Sequence, residues 1–343
     1  MLYPWQQAIW QQLTSATHLS HALVLYGIEG IGKLDFAYQL SQFLLCSQPI
    51  QGEFGVQACR QCRNCIWFIS NNHPDFRLLA PTDDTDKFGT GDNESANLAT
   101  KKRKKAEIDI EQVRALDHFM GLGSHQHDGR RVVLIAPAQA LNRNAANALL
   151  KSLEEPPEGV IFLLVTTQLQ RLLPTILSRC QHIFFAPPSQ EQALAWLKQN
   201  GIEEGLLALA YTGGAPLLCR HGELIAHAKI MSQLLLQGHK LMPHTSATMM
   251  MSHATKVPQY IELNLVALQK WLYDLACVRL SCPVRYYIDL ADALKPLSSR
   301  VDMARLFDLQ QMLNTLRPLV THPLNHALQL ERVLTQYSKI FHS

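Results

Sequence analysis

The residues of this chain best placed to do chemistry are Cys46, Cys59, Cys62 and Cys65. The last three are spaced Cys-x2-Cys-x2-Cys, and the first lies a short way upstream. Four thiolates offered from tight turns can close a tetrahedral shell around Zn²⁺, and four sulfurs leave no open position for catalysis. The expectation is therefore a structural zinc site, set against the plainer alternative of four reduced cysteines. Cys46 is the weakest member, with His73 as a substitute ligand. The other cysteines, Cys180, Cys219, Cys277 and Cys282, are scattered and read as buried thiols.

Just before the cluster, Gly27-Ile-Glu-Gly-Ile-Gly-Lys33-Leu34 has the form G-x-x-x-x-G-K. In such a loop the backbone N–H groups point inward at phosphates and the lysine reaches the terminal ones. Gly27, Gly30, Gly32 and Lys33 are thus candidate nucleotide-binding residues, the competing reading being a bare glycine turn. The next position should offer a hydroxyl to Mg²⁺ and is Leu34. A phosphate-loop ATPase also needs carboxylates at the end of the strand Val132–Ile135, and the sequence there runs Ala136-Pro137-Ala138-Gln139. Two independent requirements are missing together, so hydrolysis is not expected, and whether nucleotide still binds stays open. Farther on, Leu172-Leu-Pro-Thr-Ile-Leu-Ser-Arg-Cys180 carries Arg179. An arginine at a subunit edge can stabilise charge developing on a neighbour's γ-phosphate. Taken alone, it reads more simply as an exposed or salt-bridged side chain.

These residues need a scaffold, and the composition bounds it. At 343 residues the chain is long for one core, which points to two or three domains. A hydrophobic fraction of 47% with 17% charged residues is that of a globular protein. The net charge of +3 gives no bulk attraction to nucleic acid. Locally, Lys101–Lys105 is basic, but a solvated loop is its simpler reading. No apolar run is long enough to span a membrane, and the first residues lack the basic start and cleavage site of a signal peptide. A cytoplasmic location is expected.

Hydrophobic periodicity predicts helices over 5–15, 34–45, 108–120 and 141–155. It predicts buried strands over 21–26, 76–80, 131–135 and 160–165. Strands alternating with helices imply a parallel sheet covered on both faces. The polar stretch 82–105 reads as a surface insertion. After Pro187-Pro188 only helical patterns remain. They divide into a small lid to residue 228 and long helices broken at Pro243, Pro283, Pro296, Pro318 and Pro323. The cluster Met249–Met251 reads as helix-packing surface.

Several of these segments together resemble the bacterial DNA polymerase III clamp-loader ATPase family, of the AAA+ class. The carrying motifs are His21-Ala22 before the glycine loop, the cysteine module, Ala145-Ala-Asn-Ala-Leu-Leu-Lys-Ser-Leu-Glu-Glu-Pro-Pro157 and the Ser178-Arg179-Cys180 segment. The resemblance is firm over residues 1–190 and weaker to the end, where Pro323-Leu-Asn325 before a last helix fits a collar domain. It implies an α/β parallel-sheet AAA+ module over 1–182 with a zinc module at 46–65, a helical lid over 183–228 and an all-α collar over 229–343. The motor subunits of that family, gamma and tau, keep an intact phosphate loop, an acidic strand end and a nucleotide-sensing arginine. This chain has Leu34, Ala136-Pro137 and Gly213-Gly-Ala-Pro216 in those places.

By resemblance the chain is a catalytically inert stator of the polymerase III holoenzyme. Arg179 is then a finger completing the neighbour's site, with Ser178 and Cys180 fixing its segment. The partners implied are gamma or tau, delta, the sliding clamp and primed DNA. The competing readings are an active ATPase of the gamma/tau type and a zinc-dependent nucleic-acid-binding module.

Overall fold

The computed structural model describes residues 2–16, 18–81, 107–121, 129–220, 222–252, 257–317 and 326–341. The insertion 82–105 with its lysine run, and the segment containing Pro318, Pro323 and Asn325, lie outside the described residues. The chain forms two compact units, Met1–Ser189 and Gln190–Ser343.

The first unit is built on five parallel strands: β1 (Ala22–Tyr26), β4 (Phe76–Leu79), β5 (Arg131–Ile135), β6 (Val160–Thr166) and β7 (Gln181–Phe184), in the order β4-β5-β6-β1-β7. A separate two-stranded ribbon, β2 (Ile50–Gly52) with β3 (Gly55–Gln57), lies between Cys46 and Cys59. Successive strand residues point to opposite faces, and both faces of the sheet are covered, which is why the central strands are apolar without alternation. Val24, Val133, Phe162 and Leu164 pack on one side, while Leu23, Leu25, Val132, Leu134 and Leu163 pack on the other.

Helices α1 (Gln7–Thr14) and α2 (Lys33–Leu44) supply Trp10, Phe36 and Leu40 to the second of these cores. The cysteine module contributes α3 (Arg63–Ile69). Helices α4 (Ile110–Gly121) and α5 (Arg143–Glu154) cover the other face through Val113, Leu116, Ala145, Leu149 and Leu153. The latter three recur at helical spacing, and Asn142 caps the start of α5 by accepting from the Ala145 N–H at 2.8 Å. A buried ion pair ties the far edge together. Arg131 Nε lies 3.5 Å from Asp75, and its Nη1 donates to the carbonyls of Phe119 and Met120 at the end of α4. A short helix, α6 (Pro174–Leu177), precedes β7.

The second unit is helical: α7 (Gln190–Gln199), α8 (Gly205–Tyr211), α9 (Gly222–Leu235), α10 (Pro243–Ser252), α11 (Val257–Arg279), α12 (Ala291–Ser298), α13 (Met303–Leu316) and α14 (His326–Lys339). Trp271 and Tyr337 are fully buried at its centre. The Trp271 indole donates to the Tyr337 hydroxyl at 2.8 Å, which donates in turn to the Leu235 carbonyl at 2.6 Å. Asp274 is fully buried and accepts from the backbone N–H groups of Arg285, Tyr286 and Tyr287.

The structure shifts several sequence expectations. The boundary read at 182/183 falls inside β7, and the one at 228/229 falls inside α9. Pro296 does not break a helix but sits within α12, two residues before its end, where it forfeits one i→i−4 bond. Pro243 starts α10, the position at which a missing N–H costs least. Met249–Met251 fall within α10.

Candidate functional site

The four cysteines converge. Their sulfurs all lie within 4.8 Å of one another, and Cys46 Sγ sits 3.6 Å from Cys59 and 3.9 Å from Cys62. Cys59 and Cys65 are 3.9 Å apart. A tetrahedral ion with metal–sulfur bonds of about 2.3 Å demands sulfur–sulfur edges of roughly 3.8 Å. The shell thus fits a metal ion, and its local backbone is shaped for one. Backbone N–H groups of Cys59, Cys62 and Cys65 donate to the sulfurs of Cys46, Cys59 and Cys62 respectively, at 3.3, 3.2 and 3.5 Å. Such bonds stabilise thiolate, the form that ligates. Arg60 adopts φ of 61°, the left-handed turn that folds Cys59 and Cys62 onto one point, and Cys62 caps α3. Burial pushes the thiols of Cys46 and Cys65 up. Burial also opposes ionisation of Cys62, yet hydrogen bonds led by Ser47 bring it down to about 6. His73 is not part of this group: it is buried outside it, and its Nδ1 accepts from the Asp75 N–H at 3.1 Å.

The glycine loop runs from the end of β1 into α2, as the spacing requires. A Cβ on Gly27 would meet the Phe185 carbonyl at 2.5 Å, and one on Gly32, which has φ of 83°, would enter the Tyr3 ring. The N-terminal segment braces the outside of this loop. Gln6 Nε2 donates to the carbonyls of Ile31 and Gly32 at 3.0 and 2.8 Å, and the Trp5 indole also reaches Ile31 at 3.0 Å. Tyr3 stacks on Trp5 and donates to Asp35 at 2.9 Å. Lys33 is buried and turned back on its own loop, donating to the Ile28 carbonyl. Burial lowers its pKa to about 8, against the pull of Glu29.

At the ends of β5 and β6, where an ATPase needs charge, neutral groups satisfy one another. Thr166 donates to Gln139 Oε1 at 2.7 Å, and Gln139 Nε2 donates to Thr167 at 3.1 Å. In the second unit Pro216 is buried at the start of a short 3-10 turn. The nearby Arg220 lies 4.6 Å over the Trp196 ring and donates to Asn200.

Arg179 follows α6 at the surface, its side chain 34% exposed. Nη1 donates to the Thr175 carbonyl at 2.8 Å and to the Ser178 hydroxyl at 3.2 Å. Nη2 pairs with Glu154 at 2.6 Å. Cys180 is partly sunk into the adjoining core, and burial raises its pKa to about 11. The structure therefore gathers the cysteines into one site, but Lys33 and Arg179 each turn to partners of their own. Sequence reading missed the loop brace and Glu154. Tyr3, Trp5 and Gln6 had no local signal, because their partners lie far along the chain.

These features define a class: a five-stranded parallel sheet with a glycine loop between its first strand and the following helix, an inserted module of four converging cysteines that could hold a metal ion, and neutral groups at the ends of β5 and β6. A family model described as "DNA polymerase III, delta subunit" matches residues 5–189. The DNA polymerase III subunit delta' of Pseudomonas aeruginosa is 32% identical over 358 residues, covering 99% of this chain and 98% of that protein. The subunits delta' of Escherichia coli and Bacillus subtilis are 34% and 38% identical over 62% and 49% of this chain, covering 58% and 43% of their own lengths. The chain belongs to the DNA polymerase III delta' subunit family. Among the described residues no helix is long and apolar enough to cross a membrane.

Proposed function

We propose that this chain is the inert stator of a DNA polymerase III clamp loader in the cytoplasm. It assembles with gamma or tau and delta subunits, helps place the sliding clamp on primed DNA, and lends Arg179 to the neighbouring ATPase site. One observation carries this reading. The chain's own catalytic positions hold Leu34 and the neutral Gln139–Thr166 pair, while Arg179 is held at the surface. An active motor would need a hydroxyl at position 34 and carboxylates near 136–137, and neither residue type is there.

Cys46, Cys59, Cys62 and Cys65 hold structural zinc, which closes the module and performs no chemistry on a substrate. Gly27, Gly30, Gly32 and Lys33 form a braced, degenerate loop that no longer turns over nucleotide. The lid comprises α7 and α8, and the helices from α9 onward form the collar.

The test is reconstitution with gamma or tau, delta, clamp and primed DNA. Arg179→Ala assembles and keeps its zinc, while ATP turnover at the adjoining site falls about tenfold or more, since a finger acts as charge develops in the transition state. Arg179→Lys does not rescue, because an ammonium lacks the planar fork. Wild-type turnover in the alanine variant would refute the assignment.

A further inference from the structure

Glu154 is the last residue of α5, and its position is set by rigid neighbours. Leu153 beside it is buried in the sheet core, and the His21 ring donates to the Leu153 carbonyl at 3.2 Å. The carboxylate is thus delivered to Arg179 by a packed helix end rather than by a loop. A carboxylate and a terminal phosphate present similar oxygen pairs to the edge of a guanidinium. Nη2 of Arg179 already meets Glu154 at 2.6 Å, and Nη1 is held by Thr175 and Ser178.

We propose that Glu154 parks Arg179, and that the arginine must leave this carboxylate as charge develops on the neighbouring subunit's transferred phosphoryl group. This rests on the reading of Arg179 as a finger acting in trans. Glu154 is then a positioning residue, which touches no substrate yet enters the barrier through the pair it makes. With the two side chains 34% and 49% exposed, the pair is one of the screened kind. Breaking an exposed pair shifts an equilibrium by about two- to fivefold.

The experiment uses the reconstituted complex with gamma or tau, delta, clamp and primed DNA. Glu154→Gln keeps shape and removes charge. It raises kcat for ATP about two- to fivefold and leaves KM unchanged, because the bound ground-state nucleotide does not depend on the parked arginine. In an Arg179→Ala background the same substitution changes nothing, since the two residues act as one unit. A merely structural Glu154 would lower kcat, or act alike in both backgrounds. If Arg179→Ala is slow but Glu154→Gln turns over at or below the wild-type rate, the parking proposal is overturned and the finger reading stands. If Arg179→Ala is as fast as wild type, both fall. A second readout needs no partner. In the isolated chain, ¹⁵N relaxation of the Arg179 guanidinium shows restrained rotation that Glu154→Gln releases; equal rotation in both proteins would overturn the parking.

Discussion

Stripping zinc from the cysteine module puts the metal assignment at greatest risk. The segment from Cys46 to Cys65 holds only one hairpin of two three-residue strands and the start of α3. Its deeply buried apolar side chains are Ala58 and Cys65. Burying two small side chains returns only a few kcal/mol at about 25 cal/mol per Å². Zinc binding that closes such a module contributes about 10–16 kcal/mol near neutral pH, far more than this burial, so it is the dominant favourable local contribution. Chelation should open the module and leave the sheet folded. If only about 4 kcal/mol of that contribution held the amides of Cys59, Cys62 and Cys65 closed, their hydrogen exchange would accelerate about a thousandfold. Amides of β1, β5 and β6 should slow or quicken by no more than about tenfold. The assay is mass-resolved exchange beside elemental analysis of reduced protein. Absence of zinc, or equal exchange with and without chelator, would refute the reasoning. Cys65→Ala should reproduce the chelated pattern.

Other outcomes follow from the same geometry. Lys33 has its pKa depressed in the fold, so it binds fewer protons than the unfolded chain between about 8 and 10.5, and its penalty is present below pH 8 and fades through that window. Lys33→Met should therefore stabilise the protein by about 1–2 kcal/mol at pH 7 and by less at pH 10, read from denaturant midpoints. Lys33→Ala should leave clamp loading unchanged in the reconstituted complex, and the isolated chain should show no hydrolysis above background; turnover abolished by Lys33→Ala would contradict this. Asp274→Ala leaves three backbone donors without their acceptor in the helical unit, and thermal melts should register a loss of about 3–5 kcal/mol. A chain truncated after residue 189 should no longer co-purify with the other loader subunits, and stoichiometric recovery would count against a collar in the second unit.

The strands that carry the first unit were legible because they are buried on both faces. An uninterrupted run such as Val160–Val165 has few other uses. Strand β7 was not legible: it sits at the sheet edge, where Gln181, His182 and Phe184 face solvent and only Ile183 is buried. The hairpin β2–β3 is too short to show any alternation. The convergence of the four cysteines was readable from spacing, since a knuckle is a local device. The surroundings of Lys33 and Arg179 were not, because each depends on contacts across the fold. Gln6 reaches the loop from the N-terminus, and Glu154 reaches Arg179 from the end of another helix. A sequence shows that an arginine is present; it does not show which carboxylate holds it.

Helix α1 touches two places that are far apart in kind. Trp10 is packed edge-on against Phe36 of α2 and donates its indole N–H to the Val56 carbonyl of the β2–β3 hairpin at 3.0 Å. One turn earlier, Gln6 and Trp5 grip the carbonyls of the glycine loop. The first turns of the chain are therefore a strut between the cysteine module and the loop. Loops that bind and release ligands are drawn from the least stable parts of a fold. This one is clamped from outside by groups that have no reason to let go, and the clamp is anchored on a second abutment, the cysteine module. Thermal motion that loosens one end is transmitted to the other through a single short helix, so slow opening of the two should rise and fall together. A corner stiffened in this way suits a part that others turn against.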